Sequence, residues 1–516
     1  MTGSPVRAQY GPGMVAASSP YAAQAGRAVL DAGGNAVDAA IATALALVVV
    51  DPVNLSLFGR CQILGLTGER FWAIDGASRA PLILPEAQAC ETRSGFAAVP
   101  VPGLLPALDR AHCRHGRIPL SQIIAPARRL AEEGFAIPPA LGAIWQEKGA
   151  ALAADPGARR FYLKADGTPY GPGERFRHPA LAQLLGALAD DLLALGRDRA
   201  EREGLARRIA TSGGFVTAGD LAQDATGDGE ILHGALAGHG LATIGRQGWG
   251  HTLAQMAAIV EAGRFDPSDP DFAEQIALTL LCTLADRPQE VGTLTPKPFG
   301  LPLEMLCDPD FAQMRAARIR QQVRFQDTGA RLVAAFGAPG IRADRDTTHL
   351  SVVDAAGNMV ALTGSIGPHF GAGVADPVHG VLFAHSYRMA SDPRAGARDV
   401  TEMTPTIATG AGSVRLAIGA AGSERIPGAV MQVLVGRLMR GQGLREAVGA
   451  PRCNWLGGAL RLHEGHPEAD RLRARGYTIV TSPRDHRRHL GIVQAVERDA
   501  TGCAGAPDPA YDGAAA

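Results

Sequence analysis

The sequence predicts an α+β fold in which helices cover the outer faces of mixed sheets. Before residue 346 the chain is rich in helical patterns, and beyond it the hydrophobic period changes to two. Leu350 and Val352 alternate with polar neighbours, and so do the apolar residues between 414 and 418. This succession of helical patterns and alternating strand patterns favours apolar helices that lie against sheets.

Capping residues mark the first helices. Ser19-Pro20 begins a helix that Gly33-Gly34 ends, and Asn35 caps a second one, rich in alanine and valine, that ends at Asp51-Pro52. Further helical patterns cover residues 119–134, 179–208, 266–289 and 427–440. The part of the chain before residue 346 is therefore predicted to be helix-rich.

One stretch of the sequence, residues 346–363, contains a candidate nucleophile. Residues 346–354 read as a strand, Gly357-Asn358 as a tight turn and residues 359–363 as the returning strand, with Thr347 and Thr348 where the first strand begins. A threonine hydroxyl is a poor nucleophile until a base takes its proton, and its own α-amine serves only if the chain is cut just before it. The stretch therefore indicates a self-cleaving enzyme that acts on amide bonds.

Composition excludes some classes of function. The 516 residues are 46% hydrophobic and 20% charged, as in ordinary soluble globular proteins, and they are enough for a large core or for more than one domain. The net charge of -1 gives no support to binding of nucleic acid or of a membrane surface.

The cysteines and the N-terminus predict a cytoplasmic location. Seven scattered cysteines without a C-x-x-C pair indicate a reduced protein. Residues 1–20 contain no apolar run typical of a signal peptide. The longest apolar stretch, residues 39–50, is too short to span a bilayer and favours a buried helix.

Several motifs in order resemble the γ-glutamyltranspeptidase family of N-terminal-nucleophile hydrolases. They are the 346–354 stretch, Gly13–Ala17, Gly33–Ala40, Val101–Gly103, Ala125–Phe135, Met403–Thr406, Gly422–Ile426 and Asp508–Gly513. The resemblance implies a four-layer αββα sandwich, cleaved between Asp346 and Thr347. Residues 1–346 would form a large subunit and residues 347–516 a small one, the two remaining associated as one αββα unit. No cofactor is implied.

The resemblance also implies the catalytic residues. Thr347 would be the nucleophile, Ser365 the second hydroxyl that hydrogen-bonds it, and the backbone N–H groups of Gly422 and Ser423 the oxyanion hole. Without the resemblance, the threonines are ordinary strand residues and residues 419–422 are a glycine-rich turn.

The positions that would bind the glutamyl carboxylate depart from the family. Ala77 stands where the family has an arginine, and Arg79 is two residues away. Arg60 lies where a glycine-rich segment is usual, and it is either a cation for the pocket or a structural ion-pair residue.

The positions that would hold the α-amine differ as well. Gly367, Ser386 and Met389 replace an asparagine, a glutamine and an aspartate, and Thr401 and Glu402 replace two serines. A polar pocket rejects ligands strongly when its partners are missing. The sequence thus predicts a γ-glutamyltranspeptidase-like amidohydrolase or acyltransferase that cleaves a small amide through a threonyl acyl-enzyme. The alternatives are an oxamate- or cephalosporin-acylase-like enzyme without γ-glutamyl specificity and a non-catalytic binding homologue.

Other candidate sites are weaker. Residues 463–466 lack the H-E-x-x-H zinc spacing, and residues 485–489 carry too much positive charge for a metal site. Both segments are expected to be solvated loops, and no metal site is predicted. The sequence contains no G-x-S-x-G elbow of an α/β-hydrolase.

Overall fold

The computed structural model describes residues 7–8, 13–84, 94–223, 226–287, 301–325, 346–386, 394–410, 414–456 and 458–516. Its strands are β1 Arg7–Ala8, β2 Gly13–Ala17, β3 Arg60–Thr67, β4 Arg70–Gly76, β5 Phe135–Ala136, β6 Arg175–Phe176, β7 Gly227–Asp228, β8 Ile231–Leu236, β9 His239–Ile244, β10 Asp346–Asp354, β11 Met359–Gly367, β12 Thr406–Thr409, β13 Arg415–Ala421, β14 Cys453–Leu456, β15 Ala459–His463, β16 Ile479–Ser482, β17 Ile492–Asp499, β18 Gly502–Pro507 and β19 Ala514–Ala515.

Helices connect and cover these strands. They are α1 Pro20–Asp31, α2 Ala36–Val50, α3 Leu104–His115, α4 Leu120–Glu133, α5 Pro139–Ala153, α6 Pro156–Tyr162, α7 Pro179–Ala187, α8 Ala194–Arg197, α9 Arg199–Thr211, α10 Ala218–Ala222, α11 Gly250–Gly263, α12 Phe272–Asp286, α13 Leu303–Leu306, α14 Pro309–Phe325, α15 Ile426–Leu434, α16 Leu444–Gly449 and α17 Ala469–Ala474. Within the described residues, no helix is both long and apolar enough to cross a membrane.

Two seven-stranded antiparallel sheets form the centre of the fold. Sheet I has the order β19-β2-β10-β11-β3-β4-β7, and sheet II has the order β1-β18-β17-β13-β12-β9-β8. The predicted threonine-bearing strand and its return are β10 and β11, neighbours in the middle of sheet I. The predicted hairpin is therefore confirmed.

Three hydrophobic cores define the layers. On the outer face of sheet I, Leu350 and Val352 pack into one core with α1 and α2. On the outer face of sheet II, Ile418 packs into a second core with α11, α12 and α15. Between the sheets, Val353 and Ala417 belong to a third core. The helix–sheet–sheet–helix order confirms the predicted four-layer αββα sandwich.

Local sequence signals explain the helix at the centre of the outer layer. The Asn35 side chain accepts hydrogen bonds from the backbone N–H groups of Val37 and Asp38, and the Asp38 carboxylate accepts one from the Asn35 N–H at 2.9 Å. This reciprocal cap satisfies N–H groups that the helix itself leaves unpaired. All fifteen residues of α2 are buried, in agreement with the predicted buried helix.

The helical pattern over residues 179–208 does not form one continuous helix. The chain breaks into α7, α8 and α9. Asp191 accepts a hydrogen bond from the Leu193 N–H, and Asp198 accepts one from the Glu201 N–H and so caps α9. Aspartate side chains compete with the helix in this way for backbone donors, and periodicity alone does not reveal it.

Candidate active site

Thr347 lies at the start of β10, on the face of sheet I that points toward sheet II. Successive side chains of a strand alternate between faces, so Thr347 shares this inner face with His349 and Ser351, whereas Thr348 points to the helical layer. Thr347 keeps 8% of its surface exposed, against 1% for Thr348 and His349. Of these three residues, the predicted nucleophile is the most accessible.

Ser365 lies beside Thr347 on the neighbouring strand. Asp346 pairs with Gly367 and Thr348 with Gly364, so a shift in register places two residues of β11, Ser365 and Ile366, opposite Thr347. Ser365 shares the inner face with Thr363, because the two are separated by one residue. Its Oγ accepts a hydrogen bond from the Gly367 N–H at 2.8 Å. The structure thus places Ser365 on the strand beside Thr347, and a hydrogen bond between the two hydroxyls stays a prediction.

His349 links the inner face of β10 to sheet II. The Ser351 hydroxyl donates to the Gln494 carbonyl, so the same oxygen accepts from His349 Nε2–H at 2.9 Å. His349 Nδ1 then accepts from the Thr363 hydroxyl at 2.8 Å. Complete burial lowers the pKa of His349 to about 3, so the ring is neutral and this pattern of donors is fixed. No local sequence pattern predicts this role of His349.

The turn after β13 lies at the same end of the interface as Thr347. A Cβ on Gly419 would be 2.3 Å from His349 Cε1, so β13 packs directly on β10 at this point. Further along β10, Val353 shares the inter-sheet core with Ala417, which precedes Gly419 on β13, so the two strands run in opposite directions past each other. Both the start of β10 and the end of β13 therefore lie at one edge.

Gly422 and Ser423 have the backbone geometry of a tight strand-to-helix turn. Gly422 has a φ of 124° and Ser423, unusually for a residue with a side chain, a φ of 55°. In the described residues, neither of these N–H groups donates to a backbone carbonyl in a turn, loop or cap. Two free donors at the start of a helical turn suit a developing oxyanion.

The two candidate arginines point to different places. Arg60 lies on β3 directly opposite Ser365, is 2% exposed, and contacts the Asp399 carboxylate at 3.2 Å. The Arg79 guanidinium instead donates to Gln223 Oε1 at 3.0 Å. Arg60 is thus the cation that shares the inner face with Thr347 and Ser365.

Neither Gly367 nor Ser386 supplies the amide that the family has at these two positions. Gly367 has a φ of 93°, and a Cβ there would be 2.4 Å from the His385 carbonyl oxygen, so the backbone excludes an asparagine. Ser386 is buried and accepts a hydrogen bond from the Ser78 hydroxyl at 3.0 Å. Met389 and the polar linker 342–345 lie outside the described residues.

Thr401 and Glu402 are both buried, at 1% and 5% exposure. The Thr401 N–H and hydroxyl both donate to the Gln247 carbonyl, at 3.1 and 3.2 Å. This double contact holds the segment that precedes β12 against the loop before α11. A role of these two residues in substrate binding stays a prediction.

The prediction of solvated loops was wrong for two histidines. His463 is 1% exposed and His489 2% exposed. The two ring nitrogens of His463 each lie 3.2 Å from a backbone nitrogen, that of Arg452 and that of Leu490, and the neutral ring accepts from one of the two. Burial lowers the pKa of His463 to about 3. His463 therefore stabilises the core of the region. Over the described residues, no group of three or more His, Cys, Asp or Glu side chains is arranged to hold a metal ion.

Known proteins resemble this chain over nearly its full length. The gamma-glutamyltranspeptidase family model matches residues 22–516. The acylase ACY 1 proenzyme of Pseudomonas sp. (strain SE83) is 34% identical over 92% of this chain and 88% of its own. The glutathione hydrolase proenzyme of Bacillus subtilis (strain 168) is 29% identical over 94% of this chain and 88% of its own.

A solved structure agrees with the fold. The cephalosporin acylase of Bacillus halodurans superimposes with a TM-score of 0.83, covers 100% of this chain and 97% of its own, and is 26% identical. The chain therefore belongs to the gamma-glutamyltranspeptidase family of hydrolytic enzymes.

Proposed function

We propose that the protein is a self-processing amidohydrolase whose nucleophile is Thr347. In the precursor, the Thr347 hydroxyl attacks the carbonyl carbon of Asp346, the C–N bond breaks, and water hydrolyses the resulting ester. This step frees the α-amine of Thr347 and yields segments 1–346 and 347–516. The observation that carries the proposal is the position of Thr347 at the edge where the N–H groups of Gly422 and Ser423 are free.

The mature enzyme would use the same groups on a substrate. The α-amine takes the hydroxyl proton while Thr347 Oγ1 attacks the amide carbonyl, and the Gly422 and Ser423 N–H groups stabilise the oxyanion. The amine departs with that proton and leaves an acyl ester on Thr347. Water then releases the acid and restores the hydroxyl.

The substrate would be an amide whose acyl group carries a carboxylate but no α-amine. Gly367 leaves no room for a side chain that could bind an amine, and the Ser386 hydroxyl is already paired with Ser78. The relatives include both acylases and glutathione hydrolases, and these features favour the acylase type. A γ-glutamyl substrate is the second candidate because of the glutathione hydrolase relatives.

Arg60 is the group that would bind the carboxylate. It is separated from Thr347 by the one strand that carries Ser365, so the two Cα atoms are about 10 Å apart, two strand spacings. The Arg60 guanidinium also contacts the Asp399 carboxylate at 3.2 Å and donates to the His385 carbonyl at 3.3 Å.

A denaturing gel and intact mass spectrometry test the processing step. We expect the purified protein to split before Thr347 and the Thr347→Ala variant to remain one chain without activity. Thr283→Ala is the matched control, because it removes a buried threonine hydroxyl in α12, on the outer face of sheet II, and leaves the nucleophile in place. A wild-type chain that never splits, or a Thr347→Ala variant that splits normally, would refute the mechanism.

A panel of amides tests the substrate class. Glutaryl, γ-glutamyl and oxamate compounds are compared by release of amine or ammonia. We expect the glutaryl amide to be hydrolysed fastest, because it has the carboxylate without the α-amine. Faster hydrolysis of the γ-glutamyl amide would favour the second candidate instead.

A further inference from the structure

A chain of buried hydrogen bonds lies behind the nucleophile, on the helical face of sheet I. Thr348 Oγ1 is 2.6 Å from Ser18 Oγ, and the Ser18 hydroxyl donates to Asp51 Oδ2 at 3.1 Å. All three side chains are at least 95% buried. When Asp51 is ionised, the Ser18 proton goes to the carboxylate, and the Thr348 hydroxyl is then the donor to Ser18. The ionised Asp51 carboxylate thus sets the direction of both bonds.

Asp51 is itself firmly held. Asn54 Nδ2 donates to Asp51 Oδ1 at 3.0 Å, and the Tyr511 hydroxyl donates to the same oxygen at 3.2 Å. The backbone N–H of Asp51 also ends α2 by donating to the Leu47 carbonyl. The carboxylate is therefore a fixed point, positioned by α2, by the loop after it and by the C-terminal segment.

The start of β10 needs such support, because its ladders are incomplete there. Pairing with β2 begins only at Leu350, and the pairing with β11 changes register at Thr347. On the β2 side, the contact of Thr348 with Ser18 takes the place of the missing ladder bonds. Thr348 shares a peptide unit with Thr347, so a displacement of one moves the other.

We propose that Asp51, acting through Ser18 and Thr348, is a positioning residue that fixes the nucleophile for self-cleavage and for turnover. This inference rests on the proposed function, since it assigns the reason why Thr347 is correctly placed. The network touches neither the substrate side of the sheet nor the oxyanion donors. It acts only through the backbone of β10.

Four variants test this positioning role. Thr348→Val, Ser18→Ala and Asp51→Ala each break the chain at one member, while Thr348→Ser keeps the hydroxyl. We expect the first three to lower the rate of self-cleavage and the kcat of the mature fraction by about 10-fold to 100-fold, because small misplacements of a reacting group have effects of this size. We expect KM to stay within about twofold and Thr348→Ser to restore most of the rate.

Thr283→Val is the matched control, because it also removes a fully buried threonine hydroxyl, one that donates to the Thr279 carbonyl inside α12. It should cleave and turn over like the wild type. Circular dichroism of each variant checks that it is folded. Normal cleavage and kcat in Thr348→Val and Asp51→Ala would overturn the positioning role and leave the proposed function intact. Absence of cleavage in the wild type would instead refute the proposed function.

Discussion

Arg60 combines two properties that rarely occur together, deep burial and a position on the catalytic face. The side chain is 2% exposed, and its ion pair with Asp399 at 3.2 Å compensates the charge that burial would otherwise leave unpaired. Arg79, nearer in sequence to the family's arginine, donates to Gln223 instead. Position on a strand face, and not distance along the sequence, therefore separates the two candidates.

Substitution of Arg60 should change specificity more than turnover. To avoid a buried unpaired carboxylate, we compare the double variant Arg60→Met/Asp399→Asn with Arg79→Met. For the double variant we expect kcat/KM on a glutaryl amide to fall by about 100-fold, with a change of no more than about threefold on the uncharged valeryl amide. Steady-state kinetics with both amides measure this. If Arg79→Met produced the selective loss instead, Arg79 would be the carboxylate-binding residue.

The protonation of Asp51 should make the unfolding free energy of the protein depend on pH. Burial is the main reason why its pKa rises from 3.8 to about 7, against the lowering effects of Asn54, Ser18, Tyr511 and His369. The raised pKa means that the folded state holds the proton more tightly than the unfolded state. The stability that this group contributes is therefore present below about pH 4 and is lost as the pH rises to about 7.

Equilibrium unfolding in urea, with Thr347→Ala as an uncleaved background, measures this effect. Between pH 4 and pH 7 we expect Asp51→Asn to gain stability relative to its parent, by an amount on the order of 4 kcal/mol. Only the change of unfolding free energy with pH is compared. Any pH-independent loss of stability that the asparagine side chain causes therefore cancels. Parallel pH profiles of the two proteins would contradict the raised pKa.

Strands β10 and β13 pack so closely that β13 needs a glycine, Gly419, at the point of contact. Gly419 faces the ring of His349, whose nitrogens are both occupied, by Thr363 and Ser351. The ring cannot turn away without the loss of one of these buried hydrogen bonds. The contact fixes the distance between the two sheets near the edge where Thr347 and Gly422 lie.

A methyl group at this contact should weaken the fold. We expect Gly419→Ala to lower the unfolding free energy by about 1–3 kcal/mol through overpacking, and to slow self-cleavage because the sheets separate near the site. Gly449→Ala is the matched control, since nothing lies within 4 Å of a Cβ at that last residue of α16. Thermal melts followed by circular dichroism compare the two. Equal melting temperatures would show that the sheets adjust without cost.

Sequence patterns predict the elements well where the signal is local. The Asn35 cap, the apolar run of α2 and the hairpin of β10 and β11 depend on residues close in the chain, and the structure has them all. The burial of His463 depends on Arg452 and Leu490, which come together only in the fold. The Asp51 network likewise joins residues up to 460 positions apart, so no local pattern reveals it.

In the whole molecule, both sheets are built from both sides of the predicted cleavage point. In sheet I, β2, β3, β4 and β7 precede residue 346, whereas β10, β11 and β19 begin at or follow it. In sheet II, β1, β8 and β9 precede it, and β12, β13, β17 and β18 follow it. Separation of the two segments would break several strand pairings at once. The cleaved segments are therefore expected to stay together.

Refolding should distinguish the cleaved protein from the intact chain. After dilution from urea, we expect the Thr347→Ala chain to regain its fold with a yield independent of protein concentration. The cleaved wild type should regain it less completely, with a yield that depends on concentration, because two chains must meet. Circular dichroism at several concentrations measures both yields. Identical, concentration-independent recovery would mean that one segment folds alone.

Because the strands of the two segments are interleaved, the proposed cleavage should depend on correct folding of the whole chain. The proposed nucleophile Thr347 lies on β10 of sheet I, and the proposed oxyanion donors Gly422 and Ser423 follow β13 of sheet II, so the proposed site forms only when both sheets have formed. Under the proposed mechanism, we expect a chain that is misassembled or truncated at its C-terminus to remain uncleaved. Two bands on a denaturing gel would then indicate that the chain had folded correctly before it was cleaved.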